Sequence, residues 1–287
     1  MSILGASLAL TPVLAAEFQV GAGMEALAYA TQGDADAGLG HVEIDGLLTL
    51  GGFEVRADLD IGPSARDGID RIGAFEKTLS PEWAAVTFGA QSWRVAAGIQ
   101  TLPTGREEVD PWRNPSVVYS QAFTTLYAGQ LLGLRGQWDR QLLSVQAWGG
   151  LGDQWDAPAF GAGVLYGEQA RAGLDVTAFP VDRRIAAHAH GSLPIAMVTR
   201  LSAELFYAGG DLGAVGTVEL LPEALIVPMV RAEWNSAGKP WAVEAGTQIS
   251  PLDNVRLTLS GRAQAEQIWG FVALSLVDET LRDPWRL

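Results

Sequence analysis

The stretch "FEVRADLDIG", Phe53 to Gly62, alternates from end to end. Phe53, Val55, Ala57, Leu59 and Ile61 hold the odd positions. Glu54, Arg56, Asp58 and Asp60 hold the even ones. A two-residue period is the mark of a β-strand with one apolar and one charged face. Two kinds of sheet can use such a strand. A soluble sheet buries the apolar face and gives the charges to bulk water. A membrane barrel turns the apolar face to lipid and the charges to a lumen. The rest of the chain decides between them.

The same alternation recurs along the sequence. "HVEID" sets His41, Glu43 and Asp45 against Val42 and Ile44. "WRVAAGIQ" sets Arg94 and Gln100 against Trp93, Val95, Ala97 and Ile99. "ARAGLDVTA" sets Arg171, Asp175 and Thr177 against Ala172, Leu174, Val176 and Ala178. "WAVEAGTQI" sets Glu244 and Gln248 against Trp241, Val243, Ala245 and Ile249. "NVRLTLSGRA" sets Arg256, Thr258, Ser260 and Arg262 against Val255, Leu257 and Leu259. Segments of about ten residues suffice to cross a bilayer as tilted strands. Helix-period stretches are nearly absent; "DRIGAFEKTLSPEWA" reads as a loop.

The connections alternate too. Gly51-Gly52, Asp139-Arg140, Glu168-Gln169 and Pro251 to Asn254 carry tight-turn chemistry. Residues 63–82, 102–128 and 151–158 form longer links. The count is 17 strands if "SVVYSQAFTTLYA" is one of them and 16 if it belongs to a loop. Termini at one rim require an even number, which favours 16, with 12–14 or 18 as alternatives, and makes 102–128 a loop. Trp83, Trp93, Trp138, Trp234 and Trp241, with Tyr29, Tyr166 and Tyr207, fall near predicted strand ends. Aromatic residues at those positions build the interfacial girdles of membrane barrels. Trp148 and Trp269 do not fit such a girdle.

Bulk composition narrows the function classes. The formal net charge is −14, which argues against a nucleic-acid partner, because phosphate binding needs a basic surface. The chain contains no cysteine, so disulfides and thiolate sites are excluded. The opening "MSILGASLALTPVLAAEF" is apolar and uncharged up to Glu17, and Val13-Leu14-Ala15 suits a cleavage site. Residues 1–15 are therefore expected to be a secretory signal peptide, although no Lys or Arg precedes the apolar run. The longest uncharged stretch, Asn114 to Leu134, has the length of a spanning helix, about 20 residues. Its Ser, Gln, Thr and Gly residues would place much polar surface in hydrocarbon. A membrane location would therefore require a closed barrel.

These features favour a transmembrane barrel over a secreted sandwich or β-helix. A sandwich would have to pack its apolar faces together and blunt its edge strands. The expectation is an all-β chain: residues 16–287 form one antiparallel transmembrane β-barrel of about 16 strands. Turns at the periplasmic rim are short, and extracellular loops are longer. Pro228, within "LIVPMVRAEW", is awkward for a strand because proline removes a ladder donor.

With its alternating strands, its short and long connections, and "RNPSVVYSQAF" (Arg113–Phe123) ahead of the glycine-flanked "GQLLGLRGQWD", the sequence resembles the porins of Gram-negative outer membranes. The polar ending "LVDETLRDPWRL" departs from the aromatic last residue common in that family. The resemblance implies a diffusion channel for small ions and hydrophilic solutes, with no cofactor and no catalytic residue. It implies outer-membrane lipid and lipopolysaccharide around the barrel, insertion by the barrel assembly machinery, and a possible homotrimer. It also implies that the loop at 102–128 folds inward and narrows the pore. The constriction candidates on it are Arg106, Glu107, Glu108, Asp110 and Arg113. Pore-lining candidates on the strands are Glu54, Arg56, Asp58, Asp60, Arg94, Arg135, Glu204, Glu244, Arg256 and Arg262. The acidic balance predicts a preference for cations. A non-conducting anchor or adhesin is the alternative.

"HAHGS" raises other chemistry. His190 and Ser192 share a strand face, as a histidine–serine hydrolase pair would need. The pattern resembles the His-x-Ser-Asn-Gly of the barrel phospholipases only up to the serine, since Leu193 and Pro194 follow. The predicted register also places His188 and His190 in the lumen. The same two histidines with a Glu or Asp could bind a metal, since i and i+2 share a strand face, but two histidines alone are a weak metal signal, and no metal site is expected.

Overall fold

A computed structural model describes residues 16–62, 78–90, 92–101, 120, 130–152, 157–168, 170–195, 198–222, 224–236 and 241–277. The expected signal peptide and the charged part of the 102–128 loop lie outside them. Among the described residues every regular element is a strand. In chain order these are β1 (Ala16–Ala30), β2 (Ala35–Leu50), β3 (Phe53–Gly62), β4 (Thr78–Ala90), β5 (Trp93–Thr101) and β6 (Gln130–Arg140). They continue as β7 (Leu143–Leu151), β8 (Pro158–Tyr166), β9 (Arg171–Phe179), β10 (Arg184–Ile195) and β11 (Thr199–Ala208). The last are β12 (Asp211–Leu220), β13 (Ile226–Asn235), β14 (Trp241–Leu252), β15 (Val255–Gln264) and β16 (Gln267–Val277).

Each strand pairs antiparallel with its neighbours in sequence, and β1 pairs with β16 from Gly23↔Val277 to Ala30↔Gly270. The sheet is thus a closed 16-strand barrel, as the parity of the predicted strands requires. β5 pairs directly with β6, so the segment 102–129 joins adjacent strands. It leaves the same rim as the 63–77 link. The opposite rim carries the start of β1, the end of β16 and short connections such as 51–52, 91–92, 141–142 and 253–254.

The burial pattern answers the question raised by "FEVRADLDIG". Phe53, Val55, Ala57 and Leu59 are exposed, while Arg56 and Asp58 are buried. The apolar face is outside and the charged face inside. The same holds on β9, β11, β13 and β14. Leu174, Val176, Leu205, Val230 and Val243 point outward, and Asp175, Glu204, Arg231 and Glu244 point inward. An apolar outer belt around a polar interior is a surface for hydrocarbon.

Aromatic residues mark both edges of this belt. At the rim where β1 starts, Phe53 and Phe88 lie with ring centroids 4.6 Å apart, and Trp93 meets Phe88 edge-on at 5.4 Å. Trp138 pairs with Trp93 across β5 and β6, and Tyr166 lies on the same side. At the other rim Trp234 pairs with Trp241, and Tyr207 faces outward on the same side. Two expected girdle residues are corrected. Trp83 is buried on the inner face beneath Arg56, because it shares the strand parity of the inward Ala85 and pairs with the inward Asp58. Tyr29 also faces inward, where its hydroxyl donates to Asp34 Oδ2 at 3.1 Å. It packs with Trp269 against Leu27 and Phe271.

Other boundaries shift for physical reasons. Residues 78–82, read as loop, belong to β4; Pro81 and the bulge hide the strand period there. The turn read at Asp139-Arg140 lies at Gln141-Leu142, where Gln141 takes φ 53. Pro228 does sit in a strand. It lies just past the last β12 partner, Glu219↔Met229, and pairs only with β14 through Thr247. No ladder on the β12 side is left for it to break.

Three large inward side chains lie over glycines of an adjacent strand. Trp148 pairs with Gly161, His190 with Gly173 and Phe206 with Gly213. A Cβ at any of these glycines would collide with the ring above it.

The lipid-facing reading predicts a directional penalty. Leu174→Arg, mid-strand on the outer face, should cost about 2–4 kcal/mol in reversible urea unfolding from lipid vesicles. Thr177→Ala, on the inner face of the same strand, should cost well under half of that. Equal costs would mean that the outer face does not contact hydrocarbon.

Candidate functional site

The inner wall is where the chemistry of this barrel collects. Among the described residues, buried carboxylates there outnumber buried guanidiniums by about two to one. A charge taken out of water is costly unless a partner or hydrogen bonds compensate. Pairing therefore shows which charges are neutralised in place and which remain in excess.

On β13–β15 the pairing is balanced. Arg231 reaches Glu233 at 2.8 Å and Glu244 at 2.7 Å. Arg262 grips Glu233 with both terminal nitrogens, at 2.7 and 3.1 Å, and lies 3.6 Å from Glu244. Two guanidiniums and two carboxylates form one buried, neutral network. Direct cross-strand pairing of Arg231 with Glu244, and of Glu244 with Arg262, puts them in reach.

The wall of β5–β7 is mostly dipolar. Arg135 donates to Gln146 Oε1 at 2.7 Å. Gln146 donates to Gln137 at 2.8 Å, and Gln137 donates to Asp139 at 2.8 Å. Arg94 lies 3.7 Å from Asp139. The chain of donors runs from mid-barrel to the rim where β1 starts.

On β2 and β3 acids prevail. Glu43, Asp45 and Asp58 are all buried, with one oxygen of each within 4.8 Å of the others. Arg56 meets Asp58 at 2.6 Å and Asp45 at 3.9 Å. Glu25 adds a further buried carboxylate on β1, opposite His41.

The fourth group spans β9–β11. His188 is buried, and its Nδ1 lies 3.0 Å from Asp175 Oδ2. Its Nε2 lies 3.0 Å from Glu204 Oε2. His190 stacks on it with centroids 4.9 Å apart and an interplanar angle of 6°. Both ring nitrogens of His188 are engaged by carboxylates.

Of the strand candidates, Glu54, Arg56, Asp58, Arg94, Arg135, Glu204, Glu244, Arg256 and Arg262 lie on the inward face. The backbone of Asp60 pairs with Glu43. Arg94 and Arg135 stand on the two strands that flank the 102–129 segment, whereas Arg56 stands among acids. Arg106, Glu107, Glu108, Asp110 and Arg113 lie outside the described residues. Glu25, Asp45, Gln146 and Arg231 are central to these networks and absent from the sequence-based set. Strand parity alone would have found them.

No family model matches this chain, and no curated protein does either. Solved structures do. A loop-deletion variant of OmpT, an outer membrane protein of Vibrio cholerae, superposes with a TM-score of 0.65 at 9% identity, covering 92% of this chain and 99% of that one. The fold is that of outer-membrane porins. A variant of the Rh. blastica porin gives 0.62 at 10% identity, over 91% of this chain and 100% of its own. The outer membrane channel DcaP of Acinetobacter baumannii gives 0.62 at 10%, over 92% and 97%. The Vibrio cholerae protein is also known in a trimer form. At these identities the barrel fold is what is shared, and the inner wall is this chain's own.

The balanced network gives a second prediction. Arg262→Met should remove one of the two guanidiniums that Glu233 and Glu244 share and cost about 3 kcal/mol in the same unfolding assay. Arg262→Lys should recover only part, since lysine cannot make the two-pronged contact. A neutral Arg262→Met would mean that lumen water already solvates these carboxylates.

Proposed function

We propose that this barrel is a passive diffusion channel for small ions and hydrophilic solutes, preferring cations. The observation that carries this reading is the surplus of carboxylates on the inner wall of a closed barrel with an apolar outside. In a confined lumen such a surplus raises the local cation concentration and repels anions. No residue has a catalytic role in this reading.

The segment 102–129 is the proposed constriction. Two features support an inward course. Ser120, the one described residue within it, is only 1% exposed. An apolar patch on the inner wall, including Trp148, Phe179, Phe206 and Val215, is buried although it faces the lumen. It lies toward the rim from which the segment departs. Glu107, Glu108 and Asp110 would then stand in the pore opposite wall charges, with Arg106 and Arg113 beside them. Lipopolysaccharide contact, delivery by the barrel assembly machinery and a homotrimer belong to the same proposal. The trimer form of the Vibrio cholerae protein supports that last element.

The test is single-channel recording in a planar bilayer under a KCl gradient. Stable conductance steps with a cation-selective reversal potential are expected. Replacing Glu107→Gln, Glu108→Gln and Asp110→Asn together should lower cation preference while the barrel stays folded and heat-modifiable. An unchanged reversal potential would remove the constriction role. A folded wild-type barrel with no conductance would point to an anchor or adhesin.

A further inference from the structure

We propose that Asp175, His188 and His190 form a binding site for one divalent transition-metal ion on the inner wall, with Glu204 orienting His188. One ligand atom from each of the three residues lies within 4.8 Å of the others. Imidazole with carboxylate is a donor set that suits zinc, copper and nickel, in contrast to the all-carboxylate cluster of β2 and β3.

Three features single out this cluster. The first is charge. Two buried carboxylates, Asp175 and Glu204, hold one imidazole between them. Even with His188 protonated the group retains a net negative charge. A divalent ion bound with neutral imidazoles balances both carboxylates. Binding displaces the proton between His188 Nδ1 and Asp175, which leaves to water.

The second is orientation. A metal-bound histidine usually donates its other N–H to a carboxylate, which sets ring and tautomer. Glu204 stands 3.0 Å from His188 Nε2 and fills that role once Nδ1 binds the ion. Asp175, 3.0 Å from Nδ1, is then a ligand.

The third is the second histidine. His190 follows at the i+2 position, so its ring shares the face of His188 and stacks on it. Its room comes from Gly173, the directly paired residue on β9. Any side chain at Gly173 would displace His190. The ring is only half-buried, which gives an ion a route from lumen water. Contraction to metal–ligand bonds of about 2.0–2.2 Å requires side-chain movement on a rigid wall.

The experiment is titration of the purified, detergent-folded barrel with Zn2+ alone, followed by calorimetry and by competition with a chromophoric chelator. One zinc per barrel at micromolar affinity or tighter is expected. His188→Gln and His190→Gln should each weaken it by about a hundredfold or abolish it. Glu204→Gln should weaken it by about tenfold, as loss of an orienting partner does. Gly173→Ala should also weaken it, although glycine supplies no ligand atom. Heat-modifiable migration checks folding. If His188→Gln does not fold, His190→Gln and Gly173→Ala still decide, because neither removes a carboxylate contact of His188. Zinc binding by wild type no stronger than by His190→Gln would overturn the proposal and leave the cluster as a hydrogen-bonded brace. Binding is read without current through the pore, so it succeeds or fails independently of the channel proposal.

Discussion

Everything in this molecule depends on the pairing of β1 with β16. In hydrocarbon an unpaired backbone N–H or C=O has no water to turn to, and its cost is several kcal/mol. A sheet can remain there only if its first and last strands meet. Once they do, each strand has one face toward lipid and one toward the interior, and the two-residue period of the sequence becomes a map of inside and outside. The charges of "FEVRADLDIG" are tolerable because closure provides an interior to hold them.

That interior is not uniform. The wall at β13–β15 is neutralised by its own arginines, and that at β5–β7 is wired through glutamines. Strand order places the acid cluster of β2 and β3 across the barrel from the histidine group of β9–β11, since they are about half a circuit apart. Clusters rich in buried carboxylates thus sit on two opposing walls. A permeating cation would meet attraction from both sides, while the neutral walls between them supply hydrogen-bonding dipoles.

How much of this could be read in the sequence follows from which interactions are local. Alternation is local, so the inside-or-outside assignment of Arg56, Asp175 and Glu244 was legible, and an even strand count followed from the parity of the ends. Bulges are set by the neighbouring strand. The one between Trp83 and Pro81 therefore concealed the strand start at Thr78. The turn at Gln141-Leu142 carries no glycine or proline to announce it. Partners within the site were illegible for the same reason. His188 meets Asp175 and Glu204 only because of two independent cross-strand registers. Nothing near "HAHGS" shows that two carboxylates, 13 and 16 residues away, will bracket the ring.

The inward rings that rest on glycines bear on how the barrel is assembled. His190 lies over Gly173; a two-residue slip of β10 against β9 would set it over Arg171 or Asp175 instead. Phe206 lies over Gly213; the same slip would bring it against Asp211 or Val215. Alternation cannot detect such errors, because a two-residue slip preserves inside and outside. Gly173 and Gly213 can, since each admits its ring at one alignment only. They act as keyways that select the correct pairing while strands are joined one after another. Filling one of them should therefore produce misthreaded barrels during insertion, even where the finished wall could accommodate the extra methyl group.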